Sequence, residues 1–281
     1  MKTRIIVDST SDLIPAVKER VSVIPMSIRF GEEEYWDGVT LDHKAFYEKL
    51  IESDEIPTTS QASPAIFTEK YEEVKAAGDE AVVITVSSGF SGTYNSATIA
   101  AQEYENIFVV DGDSLAIGGG ILVEQAIRYL DAGLSAREIA KKLEEDKRRV
   151  VVIALLNTLE YLKRGGRISK TVAFAGTLLN IKPVISIIGG EIKILGKARG
   201  SRQGNNLLVQ EIEKAGGVDF DMPVLLGYTG ISDSLLKKYM EDSKYLWENA
   251  VDAVNYTTIG SAIGTHAGPD AVAVAFFKKD C

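Results

Sequence analysis

The segment Val82-Val83-Ile84-Thr85-Val86 is a β-branched run without alternation, and it passes straight into Ser87-Ser88-Gly89-Phe90-Ser91-Gly92-Thr93. A run of this kind predicts a strand covered on both faces, as in a parallel sheet. The hydroxyl- and glycine-rich stretch then falls at the carboxyl end of that strand, where open α/β sheets bind ligands, just before residues that can open a helix. Two readings of the loop stand side by side: an anion site of backbone N–H groups and small hydroxyls, or serines that only cap the helix. The same order of strand, polar loop and helix occurs at the amino terminus, where residues 4–7 run into Asp8-Ser9-Thr10-Ser11 and Pro15 opens a helix toward Arg20.

Further along, residues 23–30 predict a second strand, followed by a small hairpin through Gly31-Glu32-Glu33 to Tyr35 and Trp36. Asp42 caps a helix with Phe46, Leu50 and Ile51 on one face, and Ser63-Pro64 opens another that Gly78 stops. Between these helices lies Pro57-Thr58-Thr59-Ser60-Gln61-Ala62, rich in short hydrogen-bonding side chains. A strand at 107–110 precedes an apolar helix over 115–130, whose Gly118, Gly119 and Gly120 imply close approach by another backbone or a ligand. Ser135 and Glu138 form a capping box ahead of a charged helix, and 150–155 is the next buried strand. This alternation predicts an α/β fold with a doubly wound, mostly parallel sheet. After about residue 156 the character changes. A basic, glycine-broken segment (161–170) and an apolar helix (172–179) lead to a hairpin over 184–195 around Gly189-Gly190, and then to helices at 201–215 and 232–241 and strands at 224–228 and 271–277. The expectation is two tightly packed domains, 1–157 of α/β type and 158–281 of mixed α+β type.

Composition narrows the chemistry. A net charge of −9 argues against a nucleic-acid partner. Cys281 is the only cysteine, so a disulfide framework, a thiolate metal cluster and a cysteine nucleophile are all out of reach. His43 follows a helix cap and reads as solvated; His266 sits in Gly264-Thr265-His266-Ala267-Gly268-Pro269, read as a tight loop before the last strand. Two distant histidines give no metal spacing, and Walker and dinucleotide glycine patterns are absent. No apolar run approaches the roughly 18 residues of a membrane span, and a cytoplasmic location is expected. A serine hydrolase would use Ser91 as nucleophile, His266 as base and Asp8 or Asp111 as orienter, but Gly89-Phe90-Ser91-Gly92-Thr93 lacks the final glycine of the nucleophile elbow.

Five segments together resemble the DegV family: Asp8-Ser9-Thr10-Ser11-Asp12, Thr58-Thr59-Ser60-Gln61, Ser87 through Asn95, Gly165-Gly166-Arg167-Ile168-Ser169 and Gly264-Thr265-His266, in order over nearly the whole chain. The resemblance implies a bacterial carrier that holds one long-chain fatty acid, such as palmitate, and performs no chemistry itself. It further implies that Thr59, Ser91 and His266 bind the carboxylate, with Ser60, Thr93 and Thr265 as additional head-group candidates. Ile28, Leu115, Ile117, Phe174, Leu178 and Ile263 are candidates for the buried tail. The implied partner is a fatty acid kinase subunit that converts the bound acid to an acyl phosphate with ATP, contacted through Arg167, Arg199 or Arg202, with transient membrane contact and no cofactor or metal. About fifteen methylenes at roughly 0.8 kcal/mol each offer on the order of 12 kcal/mol gross, so the tail supplies affinity. The hydrogen-bonded carboxylate supplies selectivity. Two alternatives remain open on the residues alone: a serine esterase or acyl transferase using Ser91 and His266, and a sensor of a small phosphorylated metabolite.

Overall fold

The computed structural model describes residues 1–53, 55–168, 181–188, 190–248 and 254–279. Its strands are β1 (Thr3–Asp8), β2 (Ser22–Ile24), β3 (Ser27–Phe30), β4 (Glu33–Trp36), β5 (Thr58–Ser60), β6 (Glu80–Thr85), β7 (Ile107–Asp111), β8 (Val150–Leu155), β9 (Ile181–Ile188), β10 (Glu191–Arg199), β11 (Leu225–Tyr228), β12 (Asn255–Thr258) and β13 (Val272–Phe277). They form a parallel sheet in the order β2-β1-β6-β7, a mixed sheet β10-β9-β8-β13-β11-β12, and a small antiparallel sheet β4-β3-β5.

The unalternating apolar runs have the expected cause. In β1, Ile5 and Val7 pack with helices Ile117–Asp131 and Ala136–Asp146, while Ile6 packs with Phe67 and Tyr71 of helix Pro64–Ala76 and with Ala97 of helix Thr93–Ala101. In β6, Val82 and Ile84 take the first face and Ala81 and Val83 the second. Both faces are covered, so the parallel sheet is doubly wound.

Helix Ile117–Asp131 lies between the two large sheets, touching β1 and β6 on one side and β8, β11 and β13 on the other. That is why its sequence is apolar nearly all round. Its glycines admit neighbouring chain segments: a Cβ at Gly118 would stand 2.4 Å from the Val152 side chain, one at Gly119 2.7 Å from Ser11 Oγ, and one at Gly120 2.1 Å from the Asp12 carbonyl oxygen. On its far face the mixed sheet packs Ile153, Leu155, Val274 and Phe276 against Leu208 and Ile212 of helix Gly200–Lys214 and Leu236 of helix Ser234–Asp242.

Several local expectations change. The segment 23–30 divides at Pro25, which lacks an N–H for a ladder: β2 pairs parallel with β1, and β3 pairs antiparallel with β4 and β5. Thr58–Ser60 is a strand, because β3 offers it an edge. Helix His43–Glu52 buries Phe46, Tyr47 and Leu50, leaving Ile51 53% exposed. Residues 150–155, read as continuing the first alternation, are hydrogen-bonded antiparallel to β13 and β9 and so belong to the mixed sheet. An apolar run specifies burial but not its partner strand. The expected tight loop around His266 is instead helix Ser261–Ala267, and β12 has no counterpart in the sequence reading. The Ser135–Glu138 capping box and the β9–β10 hairpin are present as expected. The helix expected over 172–179 lies outside the described residues.

Candidate functional site

The loops at the carboxyl ends of β1 and β6 are tied together by Asp8. Its buried carboxylate accepts the Val86 N–H at 2.7 Å, the Thr10 N–H at 3.0 Å and the Thr10 hydroxyl at 2.5 Å. Burial pushes the Asp8 pKa up, and these hydrogen bonds oppose the rise. In the β6 loop the Ser91 N–H donates to the Ser87 carbonyl, Ser91 Oγ lies 2.9 Å from Thr93 Oγ1, and the Thr93 N–H donates to Ser91 Oγ at 3.3 Å. Ser91 therefore also accepts the amide of the first residue of helix Thr93–Ala101, whose N-cap position is Gly92. Gly89 and Gly92 let this loop meet the rest of the protein. A Cβ at Gly89 would stand 2.4 Å from the Gly190 carbonyl oxygen, and one at Gly92 2.0 Å from Gln61 Oε1.

Helix Ser261–Ala267 brings His266 against β5, with Nε2 2.9 Å from Thr59 Oγ1. Nδ1 is buried without a hydrogen-bond partner among the described residues, and the backbone at Gly165 is pressed so close that a Cβ there would lie 2.1 Å from it. Burial first, and then the positive charge of Arg167, lower the His266 pKa to about 4, so the ring is neutral at pH 7. Arg167 itself donates from Nε to the Phe90 carbonyl at 3.3 Å and from Nη1 to the Gly165 carbonyl at 2.7 Å.

Thr10, Thr59, Gln61, Ser91, Arg167 and His266 share the wall of one cavity. The remaining wall is apolar. Val152 and Ala154 of β8, Ile185 and Ile187 of β9, and Ala271 and Ala273 beside them supply one side, while Leu115, Ala116, Ala262, Ile263 and Ala267 close it. A guanidinium, three hydroxyls, a carboxamide and a neutral imidazole beside an apolar chamber suit a ligand with an anionic head and a hydrocarbon body. The arrangement differs from a hydrolytic triad: His266 Nε2 is paired with Thr59 rather than Ser91, and Nδ1 meets no carboxylate among the described residues.

A family model described as an uncharacterised protein of the DegV family matches residues 2–279. The chain belongs to the DegV family. It is 34% identical to a DegV domain-containing protein of Caldanaerobacter subterraneus subsp. tengcongensis, with 99% of each chain aligned. Among solved structures it is similar to a fatty-acid-binding DegV protein from Thermus thermophilus, at TM-score 0.87 and 29% identity over 99% of this chain and 100% of the other. It is likewise similar to a stearic acid-binding protein from Eubacterium ventriosum, at TM-score 0.87 and 27% identity over 99% of both chains.

In this DegV chain Thr59, Ser91 and His266, separated by up to 207 positions, face one cavity with Leu115 and Ile263. Ser60, on the opposite side of β5 from Thr59, is exposed, Thr93 supports Ser91 from a buried position, and the Thr265 hydroxyl donates to the Ser261 carbonyl. Ile28 and Ile117 lie in packed cores off the cavity wall, and Phe174 and Leu178 fall outside the described residues. Arg199 and Arg202 are exposed near the start of helix Gly200–Lys214, away from the cavity that Arg167 lines. Sequence reasoning missed Thr10, Gln61 and the alanines of β8 and β13 as cavity residues. Residues 150–155 were read as a buried strand, but not which of its faces would meet the cavity. His43 is also less solvated than expected, with its side chain 32% exposed and Nε2 3.8 Å from Asp37 Oδ1.

The depressed His266 pKa makes a prediction for the ligand-free chain. The unfolded ring binds a proton below about pH 6.5 while the folded ring refuses it until about 4, so stability is complete above 6.5 and is lost as pH falls through that window. Urea unfolding at pH 8 and pH 5 should show a loss on acidification that is roughly 2 kcal/mol larger in wild type than in His266→Gln. Equal losses in both would place the ring in a more solvated setting.

Proposed function

We propose that this chain binds a long-chain fatty acid, its carboxylate held by Thr59, Ser91 and His266 and its tail buried against the inner face of the mixed sheet. The observation that carries the reading is the convergence of those three side chains with Arg167, Thr10 and Gln61 on one cavity whose remaining wall is apolar. Binding of fatty acids by the similar proteins from Thermus thermophilus and Eubacterium ventriosum supports it. Arg167 adds a charge that the carboxylate can face. The chain acts as a carrier rather than an enzyme, and the acid is handed to an ATP-dependent partner kinase for acyl-phosphate formation. Arg199 and Arg202, exposed on the second half of the chain, are the proposed kinase contacts.

Denaturing mass spectrometry of freshly purified protein should release a C14–C18 fatty acid. Repeated absence of any acid, together with failure to bind a labelled one, would sink the proposal. Ser91→Ala and Thr59→Ala should each weaken fatty-acid binding about tenfold, the worth of one hydrogen bond to a charged group. A thermal-unfolding scan of the ligand-free variants should move little; a matching loss of stability would assign these hydroxyls to the loop itself. Turnover of an activated acyl ester that disappears in Ser91→Ala would favour the esterase reading instead.

A further inference from the structure

Helix Ser261–Ala267 has seven residues and begins after Gly260, which has no side chain with which to cap it. Its first amides need acceptors from elsewhere. They find two buried carboxylates from the other end of the chain. Asp12 Oδ1 accepts the Gly260 N–H at 2.6 Å, and Asp37 accepts the Ser261 N–H on Oδ1 at 3.1 Å and the Ala262 N–H on Oδ2 at 3.3 Å. Asp12 is 4% and Asp37 2% exposed. Gly260 leaves room for this convergence, since a Cβ there would stand 3.0 Å from His43 Nε2 and 3.1 Å from Asp12 Oδ1.

Burying two carboxylates is costly, and a serine or aspartate at position 260 would cap the helix locally without that cost. What the distant caps add is location. A local cap satisfies the helix wherever it lies, whereas Asp12 and Asp37 satisfy it in one place relative to β1 and the β4 turn. That place matters because the same helix carries Ala262, Ile263, His266 and Ala267 into the cavity wall and puts His266 Nε2 on Thr59.

We propose that Asp37, with Asp12, is a positioning residue for the carboxylate end of the fatty-acid site: it clamps the amino terminus of helix Ser261–Ala267 and so fixes His266 beside Thr59 and Ser91. The inference rests on the fatty-acid reading for its ligand. It makes a demand that a merely structural carboxylate would not. Loss of the clamp should harm recognition of the acid head while sparing the tail.

The test uses the full chain carrying Asp37→Asn, which turns one acceptor oxygen into an NH2 group facing a backbone N–H. Palmitic acid and hexadecanol are competed against a fluorescent fatty acid, and the ring resonances of His266 are followed by NMR, with His43→Gln assigning the other of the two histidines. Palmitic acid should bind about tenfold more weakly and hexadecanol within about twofold of wild type, with the His266 resonances displaced. Unchanged preference for the acid, or a parallel loss for both ligands with His266 undisturbed, overturns the proposal. If wild type binds neither ligand, the fatty-acid reading fails on its own, and the His266 resonances in Asp37→Asn still decide whether the clamp positions the ring. Should Asp37→Asn fail to fold, Asp12→Ala, which removes the acceptor of the Gly260 N–H, carries the same comparison.

Discussion

Ala154→Phe should reduce fatty-acid binding about 100-fold or more, the equivalent of displacing three to four methylenes at roughly 0.8 kcal/mol each. Ala154 stands on the cavity face of β8, between Ala273 of β13 and Ile185 of β9 in the ladder, and all three line the cavity. A phenyl ring there occupies the volume that the acyl chain needs. Because the ring fills space rather than displacing packed atoms, the ligand-free chain should unfold within about 1 kcal/mol of wild type. Ile153→Val is the matching control. Ile153 points to the opposite face, among Leu208, Leu226 and Phe276, so truncating it should cost about 1 kcal/mol of stability and leave lipid binding alone. Fatty acid still recovered by mass spectrometry from Ala154→Phe would show that the tail runs elsewhere.

Gly120→Ala should destabilise the chain by about 3 kcal/mol or more in urea unfolding, against an intrinsic helix propensity that favours alanine by about 1 kcal/mol. The sign is set by one contact. The new Cβ would lie 2.1 Å from the carbonyl oxygen of Asp12, and that backbone cannot retreat freely: the Asp12 N–H is bonded to the Ala116 carbonyl, and its side chain to Gly260. Fatty-acid affinity should fall as well, since moving Asp12 loosens the helix that carries His266. A stabilised Gly120→Ala would mean that helix Ile117–Asp131 and the Asp12 loop do not approach as described.

Local chemistry accounts for what could be read in advance. The strands β1, β6 and β7, the helices between them, the Ser135–Glu138 box and the β9–β10 hairpin rest on interactions within a few residues, or on burial of both faces, and each leaves a pattern in consecutive residues. The five motif segments also named Thr59, Ser91 and His266, which share the cavity wall. Helix Ser261–Ala267 was not legible. Its residues, Ser-Ala-Ile-Gly-Thr-His-Ala, show neither a strong apolar period nor a local cap, and its amides are satisfied by Asp12 and Asp37 from more than 200 positions away. The break at Pro25 and the transfer of β8 to the mixed sheet escaped notice because strand partners are chosen by hydrogen bonds at long range.

The sequence by itself determined which segments are buried, where the first alternation of strands and helices runs, and which side chains resemble a carboxylate clamp. The loop after β6 was legible as a place for hydroxyls, but its two glycines acquired their reasons only in three dimensions, one against Gly190 and the other against Gln61. Tertiary structure alone decided that Val152, Ala154, Ala271 and Ala273 face a chamber rather than solid core, and that a short helix holds His266 at its wall. The physical reason is the same in each case. Burial and capping are properties of neighbouring residues, whereas a cavity is defined by surfaces from distant segments that stop short of one another.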